Sequence, residues 1–124
     1  MIKFSVVLPT YNSSSFFYNS VDSLISQTYS NFEVIVVDDG SEDNTLNIIK
    51  SYIASYDSNI NWIFIQKKHS GPGDTRNCGI LNSSGSYIAF LDSDDIWDKD
   101  KLQKVANVIK RNNIDLITHY EDMI

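Results

Sequence analysis

Residues 34–41 read VIVVDDGS, four β-branched apolar residues followed by two aspartates, a glycine and a serine. A run that does not alternate polar with apolar is unsuited to a sheet with one wet face. It fits a strand covered on both sides, the usual condition of a parallel sheet. Three further runs share this character: FSVVL at 4–8, WIFI at 62–65 and YIAFL at 87–91. A weaker fifth, DLIT, starts at Asp115. The intervals between them, about twenty residues, are long enough for crossover helices. Phe17, Val21, Leu24, Ile25 and Thr28 fall on one helical stripe, as do Leu46, Ile49, Ile53 and Tyr56, and Leu102, Val105, Ala106 and Ile109. The segment from Thr75 to Asn82 is shorter and weakly patterned. Ser41 and Asn44 are candidate caps of the second helix, and Asp98 or Asp100 of the last. The pattern predicts an α/β fold, an open, mostly parallel sheet with helices on both faces, over residues 1–124 as a single domain.

Ligands of such sheets bind beyond the carboxyl ends of the strands. The four exits read PTYN (9–12), DDGS (38–41), KKHSGPG (67–73) and DSDD (92–95), so the chemically capable residues gather at one edge. Asp92 and Asp94, brought within ~4 Å, would repel by about 4 kcal/mol at an effective dielectric of 20. Solvent, a shared proton or a divalent cation can offset this, and Mg2+ and Mn2+ favour such oxygen ligands. The plainer reading is an aspartate-rich turn ahead of the last helix. Asp39 can accept a hydrogen bond from a base imide or a ribose hydroxyl, with Asp38 beside it and Gly40 allowing a tight turn. As a plainer alternative, that stretch is a helix-capping turn. The ring of Tyr11, behind Pro9 and Thr10, offers a face for a base, or simply packs on the sheet edge. Arg76 suits a diphosphate through its paired donors, or forms a surface salt bridge with a nearby aspartate.

The segment HSGPGDTRN is not a P-loop, since no Gly-Lys-Ser/Thr follows, and it lacks the third glycine of a dinucleotide fingerprint. His69 and His119 have no partner at ligand or triad spacing and read as surface residues. Lys67 and Lys68 read as a solvated pair, and the single cysteine, Cys78, as a packed small hydrophobe. A net charge of -6 with only Arg76 and Arg111 as arginines argues against nucleic acid as partner. No apolar stretch reaches the ~20 residues of a membrane span, so membrane association is expected only through segments outside this chain.

The succession SVVLPTYN, VIVVDDGSEDNT, GPGDTRNCGI and YIAFLDSDD resembles the nucleotide-binding half of the family 2 glycosyltransferases, of GT-A fold. The resemblance runs from residue 3 to about 110. It implies an inverting transferase of polysaccharide biosynthesis that uses a nucleotide-sugar donor, usually UDP-linked, with Mg2+ or Mn2+ on the diphosphate. A glycan or lipid-linked acceptor and a cytoplasmic location, at the inner face of the membrane, go with it. By position, Thr10 and Tyr11 behind Pro9 resemble the uracil-contacting pair, and Asp39, next to Asp38, the aspartate that reads uracil. Arg76 resembles the basic residue of an alanine-Arg-Asn segment, with Thr75 replacing the alanine. Asp92 matches the ribose-side acid of the D-x-D motif, completing a metal pair with Asp94, the metal ligand itself. The family's acceptor half and general base lie beyond this length. Glu121 and Asp122 come too early for that base, so no catalytic residue is assigned and the chain reads as the donor-binding portion. A catalytically silent nucleotide-sugar-binding module is the alternative. A receiver-like signalling domain fits poorly, because its acidic pair should leave the first strand.

Overall fold

A computed structural model describes residues 1–112. Its elements follow the order β1 (Phe4–Thr10), α1 (Tyr18–Ile25), β2 (Phe32–Asp38), α2 (Thr45–Ala54), β3 (Asn61–Gln66), α3 (Pro72–Leu81), β4 (Tyr87–Phe90) and α4 (Lys101–Asn112). The strands form one parallel sheet in the order β3-β2-β1-β4. The winding runs outward from β1 to β3, then α3 carries the chain back to the far side of β1. That reversal leaves a crevice between the carboxyl ends of β1 and β4, the switch point at which open α/β sheets bind ligands.

Both faces of β1 and β2 are covered, as their unalternating runs require, whereas Ile88 and Phe90 of β4 remain exposed despite the expectation for that strand. Val6, Leu8, Val34 and Val36 face one way and pack with Phe17, Val21 and Leu24, with Leu46, Ile49 and Ile53 of α2, and with Leu102, Ala106 and Ile109 of α4. Val7, Ile35 and Val37 face the other way, toward Cys78 of α3. Gly79 allows that helix to lie close, because a Cβ there would stand 2.4 Å from Val7 Cγ1. At the amino ends of the strands Glu33 is buried and accepts hydrogen bonds from Ser5 Oγ (2.6 Å) and Ser84 N (2.7 Å). Burial opposes its charge, but these donors outweigh it and lower its pKa.

Two local expectations change and a third is resolved. The first helix ends at Ile25 rather than extending to Thr28, whose N–H donates to Lys99 O at 2.9 Å. Asn44 holds the cap position of α2 with φ 62° but makes no side-chain cap bond. Asp43 does so instead, accepting from Thr45 N at 3.2 Å, while Ser41 is drawn to the sheet edge. Ahead of α4 it is Asp98 whose carboxylate meets a backbone N–H, that of Asp100 at 3.3 Å. The expected fifth strand, His119, Glu121 and Asp122 lie outside the described residues. No helix among the described residues is long and apolar enough to cross a membrane.

Candidate functional site at the carboxyl edge of the sheet

Pro9 prepares the crevice. Thr10 O accepts from Asp39 N and Val7 O from Leu91 N, so even-numbered residues of β1 address β2 and odd-numbered ones address β4. Pro9, lacking an N–H, therefore falls on the β4 side. The β1–β4 ladder has already ended there, at Val7↔Phe90, so no sheet bond is lost.

Asp38, at the end of β2, is sealed from solvent. Its Oδ1 accepts from Thr10 Oγ1 (3.0 Å) and Ser41 Oγ (2.6 Å), and its Oδ2 from Ser41 N (2.9 Å). Ser41 Oγ in turn accepts from Asn12 N at 2.8 Å, which fixes the β1 exit in a left-handed turn at Asn12 (φ 50°). Thr10 and Asp38 thus face each other and shape the edge from within.

Asp39 is also buried, yet its carboxylate lies under the 67–71 loop. Oδ1 accepts from Lys67 Nζ (2.6 Å) and Ser70 N (2.9 Å), and Oδ2 from Gly71 N (3.1 Å), with His69 Nδ1 at 2.9 Å. Burial disfavours the charge, but the hydrogen bonds of Lys67, Ser70 and Gly71 win and hold the carboxyl well below the usual carboxylate range. Gly40 makes this closeness possible: its φ is 73° and a Cβ would sit 2.7 Å from His69 N. Lys67, expected to be solvated, is instead an ion-pair partner of Asp39. His69, expected to lie alone on the surface, stacks on Tyr11 with centroids 4.4 Å apart and 26° between the rings. Nothing in residue spacing signals that contact, which needs β1, β2 and β3 side by side.

The 92–95 turn is built differently. Asp95 N donates to Asp92 O at 3.0 Å, closing the turn. Ser93 points inward to Ser13 Oγ at 2.8 Å, and Ser20 of α1 donates to Asp92 O at 3.2 Å. With its middle residue anchored, the turn presents Asp92, Asp94 and Asp95, whose ligand oxygens all lie within 4.8 Å of one another. Sequence reasoning missed the three serines, because a hydroxyl holding a turn has no spacing signature. Across the crevice Arg76 Nη2 donates to Asp92 Oδ1 at 3.0 Å. Both side chains are substantially exposed, 38% and 43%. Thr75, the departure from alanine, is accommodated: its buried hydroxyl donates to Gly71 O at 2.7 Å.

A parallel α/β sheet whose switch-point crevice carries an acidic turn opposite an arginine has the architecture of GT-A glycosyltransferases. Residues 5–119 match glycosyl transferase family 2, and the chain belongs to that family. It is 43% identical over 111 residues to the amylovoran biosynthesis glycosyltransferase AmsB of Erwinia amylovora, covering 89% of this chain and 36% of AmsB. The crystal structure of TarS 1-349 of S. aureus in complex with UDP-GlcNAc superposes with a TM-score of 0.81 at 37% identity, over 90% of this chain and 32% of that one. The mannosyltransferase PcManGT of Pyrobaculum calidifontis, solved with GDP-Man and Mn2+, shares the fold with a TM-score of 0.81 at 21% identity, over 87% of this chain and 32% of that one. The chain therefore spans about a third of the length of each.

Proposed function

We propose that this chain is the donor-binding part of an inverting, metal-dependent glycosyltransferase that draws on a UDP-linked sugar and serves a glycan or lipid-linked acceptor. The observation that carries the proposal is the set of three carboxylates within 4.8 Å of one another, facing Arg76 across the crevice. At that separation each charged pair repels by roughly 3–4 kcal/mol at an effective dielectric of 20. The Arg76 guanidinium, paired with Asp92, offsets part of this. An all-oxygen donor set with an open side suits Mg2+ or Mn2+, which such sites share with substrate phosphates. The bound cation would supply the positive charge that holds a diphosphate against this acidic edge.

The chain's own residues divide the remaining work. Asp94 presents an exposed carboxylate to the metal. Asp92 stands between the metal, the ribose and Arg76. Arg76 uses one N–H on Asp92 and, with five donors in its fork, keeps others for the diphosphate. Tyr11 and Asp39 receive the base, by stacking and by accepting its imide N–H. Pro9, Thr10 and Asp38 hold the edge that positions them. The UDP-GlcNAc complex of TarS supports a uridine nucleotide, and the name of AmsB supports a polysaccharide pathway. No group among the described residues is assigned as general base.

Calorimetric titration with UDP, CDP and GDP, each with and without Mn2+, tests the reading. UDP should bind best and need the metal, because cytosine has no N3–H to give Asp39. Preference for another base, or metal-independent binding, would overturn it.

A further inference from the structure

His69 makes both contacts that the proposal assigns to the base. Its imidazole stacks on Tyr11 at 4.4 Å. Its Nδ1 lies 2.9 Å from Asp39 Oδ2 and 3.0 Å from Asp39 O. Both neighbours are acceptors, so Nδ1 carries the hydrogen and acts as the donor. A flat ring with one N–H directed at Asp39 is what uracil would present. The carboxylate is also closely surrounded. It offers about four lone-pair sites; Lys67 Nζ, Ser70 N and Gly71 N donate to it, and His69 Nδ1, hydrogen-bonded to Asp39 O, stands 2.9 Å from Oδ2 beside what is left. A base and the His69 ring therefore compete for one place, against Tyr11 and beside Oδ2. Of these four groups two are backbone, and Lys67 is largely covered at 18% side-chain exposure, whereas His69 is 55% exposed. His69 is the group that can leave by a side-chain rotation into solvent, with the three donors still holding the charge of Asp39.

We infer that His69 is an internal competitor for the base, occupying the base position in the free chain and setting the affinity for the nucleotide. This rests on the reading of Tyr11 and Asp39 as base-contact residues. The apparent affinity for a ligand is reduced by the fraction of molecules able to receive it. Removing the imidazole should therefore tighten binding of any ligand that carries the base, and of no other.

The test titrates UDP and, as a base-free probe, inorganic pyrophosphate, both with Mn2+, into the wild-type chain and His69→Ala. UDP should bind the variant about 3- to 10-fold more tightly, as expected if the competent fraction is a third to a tenth, with pyrophosphate binding unchanged. Nuclear magnetic resonance of the wild type supplies a second readout, since the chain has only two histidines and the variant identifies the His69 signals. Those signals should move away from their Tyr11-shifted position on adding UDP and stay in place on adding pyrophosphate. Unchanged or weaker UDP binding by the variant, or His69 signals unmoved at saturating UDP, overturns the competitor role and leaves the proposed function standing. UDP binding no tighter than pyrophosphate in both proteins overturns the base reading, and the competitor role with it.

Discussion

The aspartates that leave β2 and those that leave β4 look alike in sequence, DDGS against DSDD, but live in opposite conditions. Asp38 and Asp39 are buried, and each oxygen already accepts from the protein. Asp92, Asp94 and Asp95 are partly or wholly exposed and crowd one another within 4.8 Å. A buried carboxylate survives only when its lone pairs are satisfied, so the first pair stabilises the edge. A crowded, exposed set is held together by its turn, with like charges side by side. The first pair is scaffold before it is site. The second, as a proposed site, carries local repulsion.

Stability measurements should separate the two regions. The largest loss is expected for Asp38→Ala, which orphans Thr10 Oγ1, Ser41 N and Ser41 Oγ. About 3 kcal/mol of unfolding free energy should go, by denaturant titration at pH 7. A loss within 0.5 kcal/mol (roughly the effect of an ordinary surface change) would break the distinction.

Asp39→Asn should follow, at about 2 kcal/mol, with a pH signature. The folded pKa of Asp39 is depressed, so its stabilisation is complete above the unfolded value of about 3.9. It fades as pH falls through the lower folded value. The gap between wild type and variant should stay constant from about pH 8 to 5 and narrow below about pH 4. A gap that widens in acid would contradict the assignment.

The smallest stability effect belongs to Asp94→Ala. Removing one of three crowded charges should leave the thermal midpoint unchanged or slightly higher, with ΔΔG under about 0.5 kcal/mol. The same variant should lose the Mn2+ dependence of UDP binding. A destabilised Asp94→Ala that keeps metal-dependent binding would mean that Asp94 merely supports the turn.

The parallel strands were legible because covering both faces demands unbroken apolar runs, and VIVV at 34–37 has no other good use. The acidic turn at 92–95 was legible because charge directly behind such a run stands at a strand exit. What could not be read were contacts between exits. Lys67 and His69 looked like free surface residues, yet both meet Asp39, about thirty positions away, because β3 lies beside β2. Ser13, Ser20 and Ser93 carried no pattern, since a hydroxyl that braces a turn can come from any neighbouring element. Helix ends were displaced for a related reason. Ser41 had the chemistry of a cap, but the nearby carboxylate of Asp38 claimed it.

By itself the sequence determined the fold class, the edge at which the chemistry gathers and the family, because these follow from hydrophobic period and from the order of motifs along the chain. The tertiary structure decided which exits are neighbours. Strand order is set by how helices pack across the sheet, which no local pattern encodes. Placing β4 beside β1 created the crevice and brought Arg76 onto Asp92. Placing β3 beside β2 laid the 67–71 loop over Asp39 and set His69 against Tyr11. The sequence named the polar groups at the strand exits, and only the packing showed that His69 lies against two of them, Tyr11 and Asp39.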